Sequence, residues 1–325
     1  MRKSATYLLV MTILMTVMIM SLSSCADPIP DATPIVPQAT DEPDEPIAEQ
    51  TPTVEPPTPT TEPLAAVVNG SPISLAEFEK QVARYEASMV AAGQDLESEE
   101  GKQALSQGRQ WVLDLMIEQS LIEQSAAEKG VVIDDMTLDS TIASLRDEIG
   151  EEAFTEWLEK EGMTLEEMRE RLRSDMVATQ MANQVAESVP TIAGHVHARH
   201  ILVDTKEEAE AIRNQILAGG DFEALARTYS QDISTRDVGG NLGFFPIGVL
   251  TSTEVEQAAF SLEPGQVSEV ISSNLGFHIV QVVAREQERE IDPESLRLLR
   301  DKAVREWLDD LKSSGDIQIF ILDTP

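Results

Sequence analysis

The chain is poor in positive charge: Lys and Arg total 24 against 58 Asp and Glu in 325 residues, a formal net charge of −34. Nucleic acids and anionic lipid surfaces are bound through clustered bases, so this balance argues against nucleic-acid binding and polybasic membrane docking. Cysteine is almost absent. The single residue, Cys25, leaves no intrachain disulfide and no paired-cysteine metal or redox motif. Long apolar runs are missing as well. The stretch from Tyr7 to Met20 is interrupted by Thr12 and Thr16 and is short of the ~20 residues that span a bilayer. Apolar residues as a class are not lacking: at 42% they suffice for packed cores, and the length allows about two domains.

What is present changes along the chain. Arg2 and Lys3 precede the short apolar run, the pattern of a secretory signal. The run ends in Leu22-Ser23-Ser24-Cys25, which resembles the bacterial lipobox, in which the Cys is lipidated and becomes the first mature residue. Residues 1–24 are therefore expected to be a lipoprotein signal peptide, with Cys25 the site of lipidation. The alternative is an ordinary signal, or an uncleaved anchor, followed by an incidental Cys. Residues 26–63 hold 11 of the 17 prolines and seven Thr. Residues 25–64 carry nine acids and no base. Proline blocks helix and sheet pairing and like charges repel, so residues 25–64 read as an extended, disordered tether.

From residue 65 the pattern becomes helical. Ala65 to Ile73 reads as a strand and turn around Asn69-Gly70. Ser74 with Glu77, Thr164 with Glu167 and Thr205 with Glu208 have capping-box spacing. Phe78, Val82, Tyr85 and Met89 repeat at helical spacing, as do Trp111, Leu115, Met116 and Ile122. Further helices fit residues 137–149, 153–161 and 164–187. The Met residues on these stripes have two readings, core filling and an adaptable surface for unfolded chains. After residue 286, Asp292-Pro293 opens another helix, with Leu296, Leu299, Val304, Trp307, Leu308 and Leu311 on one stripe. Residues 317–321 read as a last strand. That stripe cannot bury itself, so residues 287–325 are expected to pack back on the helical segment 65–190.

Residues 196–286 differ in character. Their order is a strand at 197–203, two helices, a glycine-rich turn at 239–243, a helix at 254–261, a strand at 267–271, a hairpin turn at 273–276 and a strand at 277–283. This order suggests an antiparallel sheet flanked by helices. The glycine cluster lacks the spacing and following Lys of a phosphate loop.

The runs HARHILV (197–203), GGDFEALARTYSQD (219–232), GGNLGFF (239–245), AAFSLEPGQVSEVI (258–271) and GFHIVQV (276–282) resemble the parvulin peptidyl-prolyl cis-trans isomerases in order and spacing. With the helical flanks and Val68-Asn69-Gly70-Ser71-Pro72-Ile73-Ser74, the chain resembles SurA/PrsA-type extracytoplasmic foldases. The resemblance implies an α+β fold: a parvulin domain inserted in a mostly helical chaperone domain. It implies isomerisation of X-Pro bonds without a covalent intermediate and without cofactor or metal. The partners it implies are unfolded or partly folded secreted proteins, with the membrane reached through lipid on Cys25.

The resemblance also places residues. His200 and His278 match the family's paired histidines, and Asp232 falls where family members carry Cys or Asp. Leu242, Leu250, Val255 and Phe260 match the prolyl pocket. Leu250 stands where Met is common and Val255 where Phe is common, and Asn241 replaces the family's usual Asp. Phosphate-selective parvulins carry bases after the first strand, whereas this chain has Asp204, Thr205, Lys206, Glu207 and Glu208 there, so phosphoserine-proline is not the expected substrate. Two rival readings stay open. His195, His197 and His200 have the residue type of a zinc site, although strand alternation turns 195 and 197 to one face and 200 to the other. The second is a non-catalytic holdase whose parvulin domain is inactive.

Overall fold

A computed structural model describes residues 62–321. The expected signal peptide, Cys25 and nearly all of the expected tether lie outside the described residues. The first elements are β1 (Leu64–Val68) and β2 (Ser71–Ser74), paired antiparallel. Asn69 and Gly70 between them both have positive φ, 49° and 84°, the two-residue turn that Asn-Gly favours. Five helices follow: α1 (Leu75–Ala91), α2 (Glu99–Glu128), α3 (Asp135–Ile149), α4 (Glu151–Lys160) and α5 (Leu165–Glu187). Their starts are chemically explicit. Ser74, Ser98, Asp134 and Thr164 each accept a first-turn backbone N–H, satisfying donors that a helix leaves free. Thr164 and Glu167 form a reciprocal capping box. Ser74 and Thr205 accept the N–H of Glu77 and Glu208 without a return bond among the described contacts.

Helix α2 starts at Glu99, three turns before the apolar stripe at Trp111. Ser98 caps it, and Gly108 admits the Tyr85 ring, since a Cβ there would meet Tyr85 Cε1 at 1.9 Å. Of the Met residues in the expected helices, Met89, Met168 and Met181 are buried and Met116 and Met176 half-buried. Core filling is therefore the main use of these stripes.

The second region contains β3 (Ile192–Val203), α6 (Lys206–Leu217), α7 (Phe222–Tyr229), β4 (Asn241–Pro246), α8 (Thr253–Ser261), β5 (Ile271–Ser273) and β6 (Gly276–Glu290). The strands form one antiparallel sheet in the order β4-β3-β6-β5. Ile201, Val203 and Ile279 pack with α6 and α7 through Ala209, Ile212, Phe222 and Ala226. Val196, Ala198, Val280 and Val282 pack with α8 through Val255 and Ala259. Phe222 keeps 2% of its surface exposed, and burying such a ring stabilises by roughly 2–3 kcal/mol.

The expected strand at 267–271 is corrected: regular strand begins only at Ile271. Val267 makes an isolated bridge to Gln281, and the Ser268 hydroxyl takes the N–H of Val280 at 2.9 Å. That side-chain bond stands where a backbone carbonyl would continue the ladder.

The chain then runs into α9 (Pro293–Ser314), with Asp292 as cap and Pro at the first position, and β7 (Ile317–Ile319). Strand β7 pairs with β1, giving a three-stranded sheet β2-β1-β7. Asn69 clasps the junction: its N–H donates to Asp316 O and its Oδ1 accepts the Asp316 N–H, both at 2.8 Å. Trp307, Leu308 and Leu311 of α9 pack on Ile122, Ala126, Val177 and Met181 of α2 and α5. Among the described residues, no helix is long and apolar enough to cross a membrane.

Candidate active site

Register brings the two predicted histidines together. His200 pairs with Val280 and Leu202 pairs with His278 across β3 and β6. Paired residues share a face, so the imidazoles lie diagonally on adjacent strands, on the face opposite Ile201 and Val203. Their rings stack, with centroids 5.7 Å apart and planes 15° off parallel. His278 is 1% exposed and His200 7%. Strand β4 reaches this point through Gly240, whose carbonyl accepts the His200 N–H at 2.9 Å. A Cβ on Gly240 would stand 2.0 Å from His200 O, and its φ is +78°, so only glycine permits the approach.

Asp232 joins them from the loop after α7. Its Oδ2 lies 2.6 Å from His200 Nε2 and accepts the Thr235 hydroxyl at 2.5 Å. Thr235 Oγ1 is also 3.1 Å from His200 Nε2. Asp232 Oδ1 accepts both the backbone N–H of Ser234 at 3.0 Å and its hydroxyl at 2.6 Å. Burial works against the carboxylate, but the bonds from Ser234, Thr235 and His200 together hold its pKa well below the usual range. An acceptor so fully engaged is a poor nucleophile and orients His200, which donates from Nε2. On the other side, His278 Nε2 lies 2.7 Å from the hydroxyl of Ser273, whose oxygen also accepts the Leu275 N–H at 3.0 Å. Burial, reinforced by His200, pushes the His278 pKa down to about 4, against the opposing pull of Glu254 and Asp232. The His278 ring is therefore neutral near pH 7. The Nδ1 atoms of both rings are buried without a hydrogen-bond partner among the described residues.

The four predicted pocket residues fall in one apolar cluster with Phe245, Ala259 and Val280. Leu242, Leu250 and Phe260 are half-buried and face outward in part. Val255, at 3% exposed, supports them from within. Phe245 meets Phe260 edge-on at 6.0 Å. The α8 C-terminus behind Phe260 is held by Arg285, which donates to Ala259 O at 3.1 Å and Phe260 O at 2.6 Å.

His195 and His197 take no part in this site. His195 Nδ1 bonds Ala193 O at 2.9 Å, and His197 Nε2 bonds Asn241 Oδ1 at 2.8 Å. Both bulges of the β3–β6 pairing put the extra residue on β6, so β3 keeps its alternation and His200 stays on the face opposite His195 and His197. Among the described residues, no group of three His, Cys, Asp or Glu side chains is placed to hold a metal ion.

Thr235, Ser234 and Ser273 were not singled out by sequence. Asp232-x-Ser234 has the spacing of an Asx turn, a signal that could have flagged Ser234. Nothing local marks Ser273 as a partner of His278.

The arrangement is a buried polar floor of two imidazoles, a carboxylate and hydroxyls beside an apolar surface. It presents no activated nucleophile. Such a site can hold a pyrrolidine ring and bind a twisted amide better than either planar form, which is the requirement for lowering a rotational barrier of ~18–20 kcal/mol.

Residues 198–284 match the family model of the PPIC-type PPIase domain. Residues 53–182 match that of the SurA-like N-terminal domain. The foldase protein PrsA of Caldanaerobacter subterraneus subsp. tengcongensis is 31% identical over 278 residues, covering 79% of this chain and 87% of that protein. The chaperone SurA of Burkholderia thailandensis is 37% identical over 155 residues, covering 42% of this chain and 34% of its own length. A crystal structure of the peptidylprolyl isomerase PrsA from Bacillus cereus is 22% identical, covering 82% of this chain and 96% of that one, with a TM-score of 0.45.

Proposed function

The chain belongs to the PrsA foldase family, a parvulin-type peptidyl-prolyl isomerase and folding chaperone, and from that premise we propose how its parts divide the work. His200, Asp232 and His278 form the catalytic floor. Leu242, Leu250 and Phe260 hold the proline ring, with Val255 behind them. The observation that carries this reading is the stacked, buried histidine pair fastened by Asp232 and Ser273 beside that apolar surface.

Catalysis is non-covalent. The substrate amide loses resonance as it turns, and the desolvated polar floor favours the altered charge distribution of the twisted form. The neutral His278 ring and the fixed hydroxyls need no reorganisation during the turn. The full chain is expected to accelerate proline-limited refolding of a model protein in a dose-dependent way. Unchanged refolding kinetics would defeat the proposal.

Residues 65–190 and 287–325 act as one chaperone body, into which the isomerase domain 196–286 is inserted. The pairing of β7 with β1 and the packing of α9 on α2 and α5 support this division. Its clients are unfolded or partly folded secreted proteins. The surplus of 26 acids over 10 bases in residues 65–190 favours basic segments among them.

The protein works outside the cytoplasmic membrane, held by lipid on Cys25, with residues 26–63 as the spacer. The basic start, short apolar run and Leu22-Ser23-Ser24-Cys25 support this part of the reading. The Cys25→Ser variant is expected to move from the membrane fraction to the soluble fraction and to lose incorporation of labelled fatty acid. Retention of both in the variant would refute the lipid anchor.

A further inference from the structure

The segment between β4 and α8, residues 247–252, carries Leu250 into the apolar surface described above. A loop of this kind needs its backbone groups satisfied to keep one position. Here the satisfaction comes from one carboxylate. Glu256 is 5% exposed, and its Oε1 accepts the backbone N–H of both Val249 and Leu250 at 3.0 Å each. No ion pair to Glu256 occurs among the described contacts. The two amides are what this buried carboxyl oxygen is bound to, and one acceptor thereby fixes two successive backbone groups of the loop. Glu256 is itself fixed as part of α8, whose cap Ser252 is 8% exposed and accepts the Val255 N–H.

The outer side of the same loop is also covered. At Gly248 a Cβ would stand 2.8 Å from Leu299 Cδ2 and 3.6 Å from Lys302 Nζ. Helix α9 therefore lies directly against the loop, while its far side packs on α2 and α5.

We infer that Glu256 is a positioning residue of the isomerase site, and that Leu299 of α9 is the outer wall of the loop it holds. Glu256 reaches no substrate. It fixes Leu250 through the two amides, and α9 keeps the loop from swinging outward. The C-terminal helix thereby links the helical body to the proline-binding surface. The inference rests on the isomerase reading of the site.

A proline ring is bound alike in the planar and twisted states, so a loosened wall removes uniform binding, which raises KM and leaves kcat nearly unchanged. In the full chain, with an X-Pro peptide as substrate, Glu256→Ala is expected to raise KM about tenfold, with kcat within about twofold. Glu256→Gln keeps an acceptor oxygen and is expected to recover most of the loss. Leu299→Ala, outside the isomerase domain, is expected to raise KM about threefold in a protein whose thermal unfolding of that domain is unchanged. If Glu256→Ala fails to fold, Glu256→Gln and Leu299→Ala decide. Parental KM in Leu299→Ala overturns the role of α9. Parental KM in Glu256→Ala, a fall confined to kcat, or no recovery in Glu256→Gln overturns the positioning role. Absence of activity in the parent chain would overturn the isomerase reading and this inference with it, an outcome distinct from an active parent with unmoved KM.

Discussion

In a proline-limited refolding assay, the Asp232→Ala/His278→Ala variant is expected to lose at least about a hundredfold of the parent's kcat/KM, or roughly 2.7 kcal/mol of transition-state stabilisation. Removing Asp232 frees His200 Nε2 and the Thr235 hydroxyl, both now fastened to one carboxylate oxygen. Removing His278 opens a cavity under the site and leaves Ser273 without its ring partner. The two changes strike opposite ends of one stacked pair, so their effects should be less than additive. The same variant is expected to suppress client aggregation as well as the parent does, because α1 to α5 and α9 are untouched. Parental refolding activity in the variant would exclude these side chains from catalysis. Refolding acceleration lost together with aggregation suppression would point to general damage instead.

A second large effect is expected in mild acid. His278 has its folded pKa near 4, below the ordinary 6.5, because it is buried beside His200. A group with a depressed folded pKa is neutral in both states above pH 6.5. Below that pH the unfolded chain takes up a proton that the folded chain refuses. Stability is therefore full above about 6.5 and falls toward pH 4, by roughly 3 kcal/mol in all. Carboxylates add their own loss lower down. Glu167, held at about 2 by Lys80 and the Thr164 amide, starts to weaken the fold only below its usual 4.5, and Asp232 acts in the same direction. Denaturant midpoints at pH 7, 5.5 and 4.5 should fall steeply for the parent and less for His278→Gln. Parallel curves would mean that His278 titrates normally in the folded state.

Much of the architecture was legible because its signals are local. A cap at Ser74, Thr164, Thr205 or Asp292 needs only the residues of the next turn, and each accepts a first-turn N–H in the structure. The Asn69-Gly70 turn follows from the φ values that those two residues tolerate. The failures are equally physical. The start of α2 at Glu99 was missed because its first three turns are polar and no apolar stripe announces them. Residues 267–270 looked like strand by composition, yet the Ser268 hydroxyl captured the Val280 N–H and interrupted the ladder.

The site divides in the same way. His200, Asp232, His278 and the apolar residues were nameable from ordered motifs, because a pattern of residue types along a chain survives without coordinates. The amino-acid order alone thus settled the class of protein, the antiparallel module between helical flanks and the scarcity of positive charge. Which hydroxyls complete the network was settled by folding. Thr235 reaches His200 across 35 positions and Ser273 turns to His278 through a hairpin, while Glu256 takes amides six and seven residues back through the bend before α8. The closing of β7 on β1 and the seating of α9 belong to the same group. Each depends on strand register, bulges or helix packing, and these become fixed only when distant segments bury their apolar faces together.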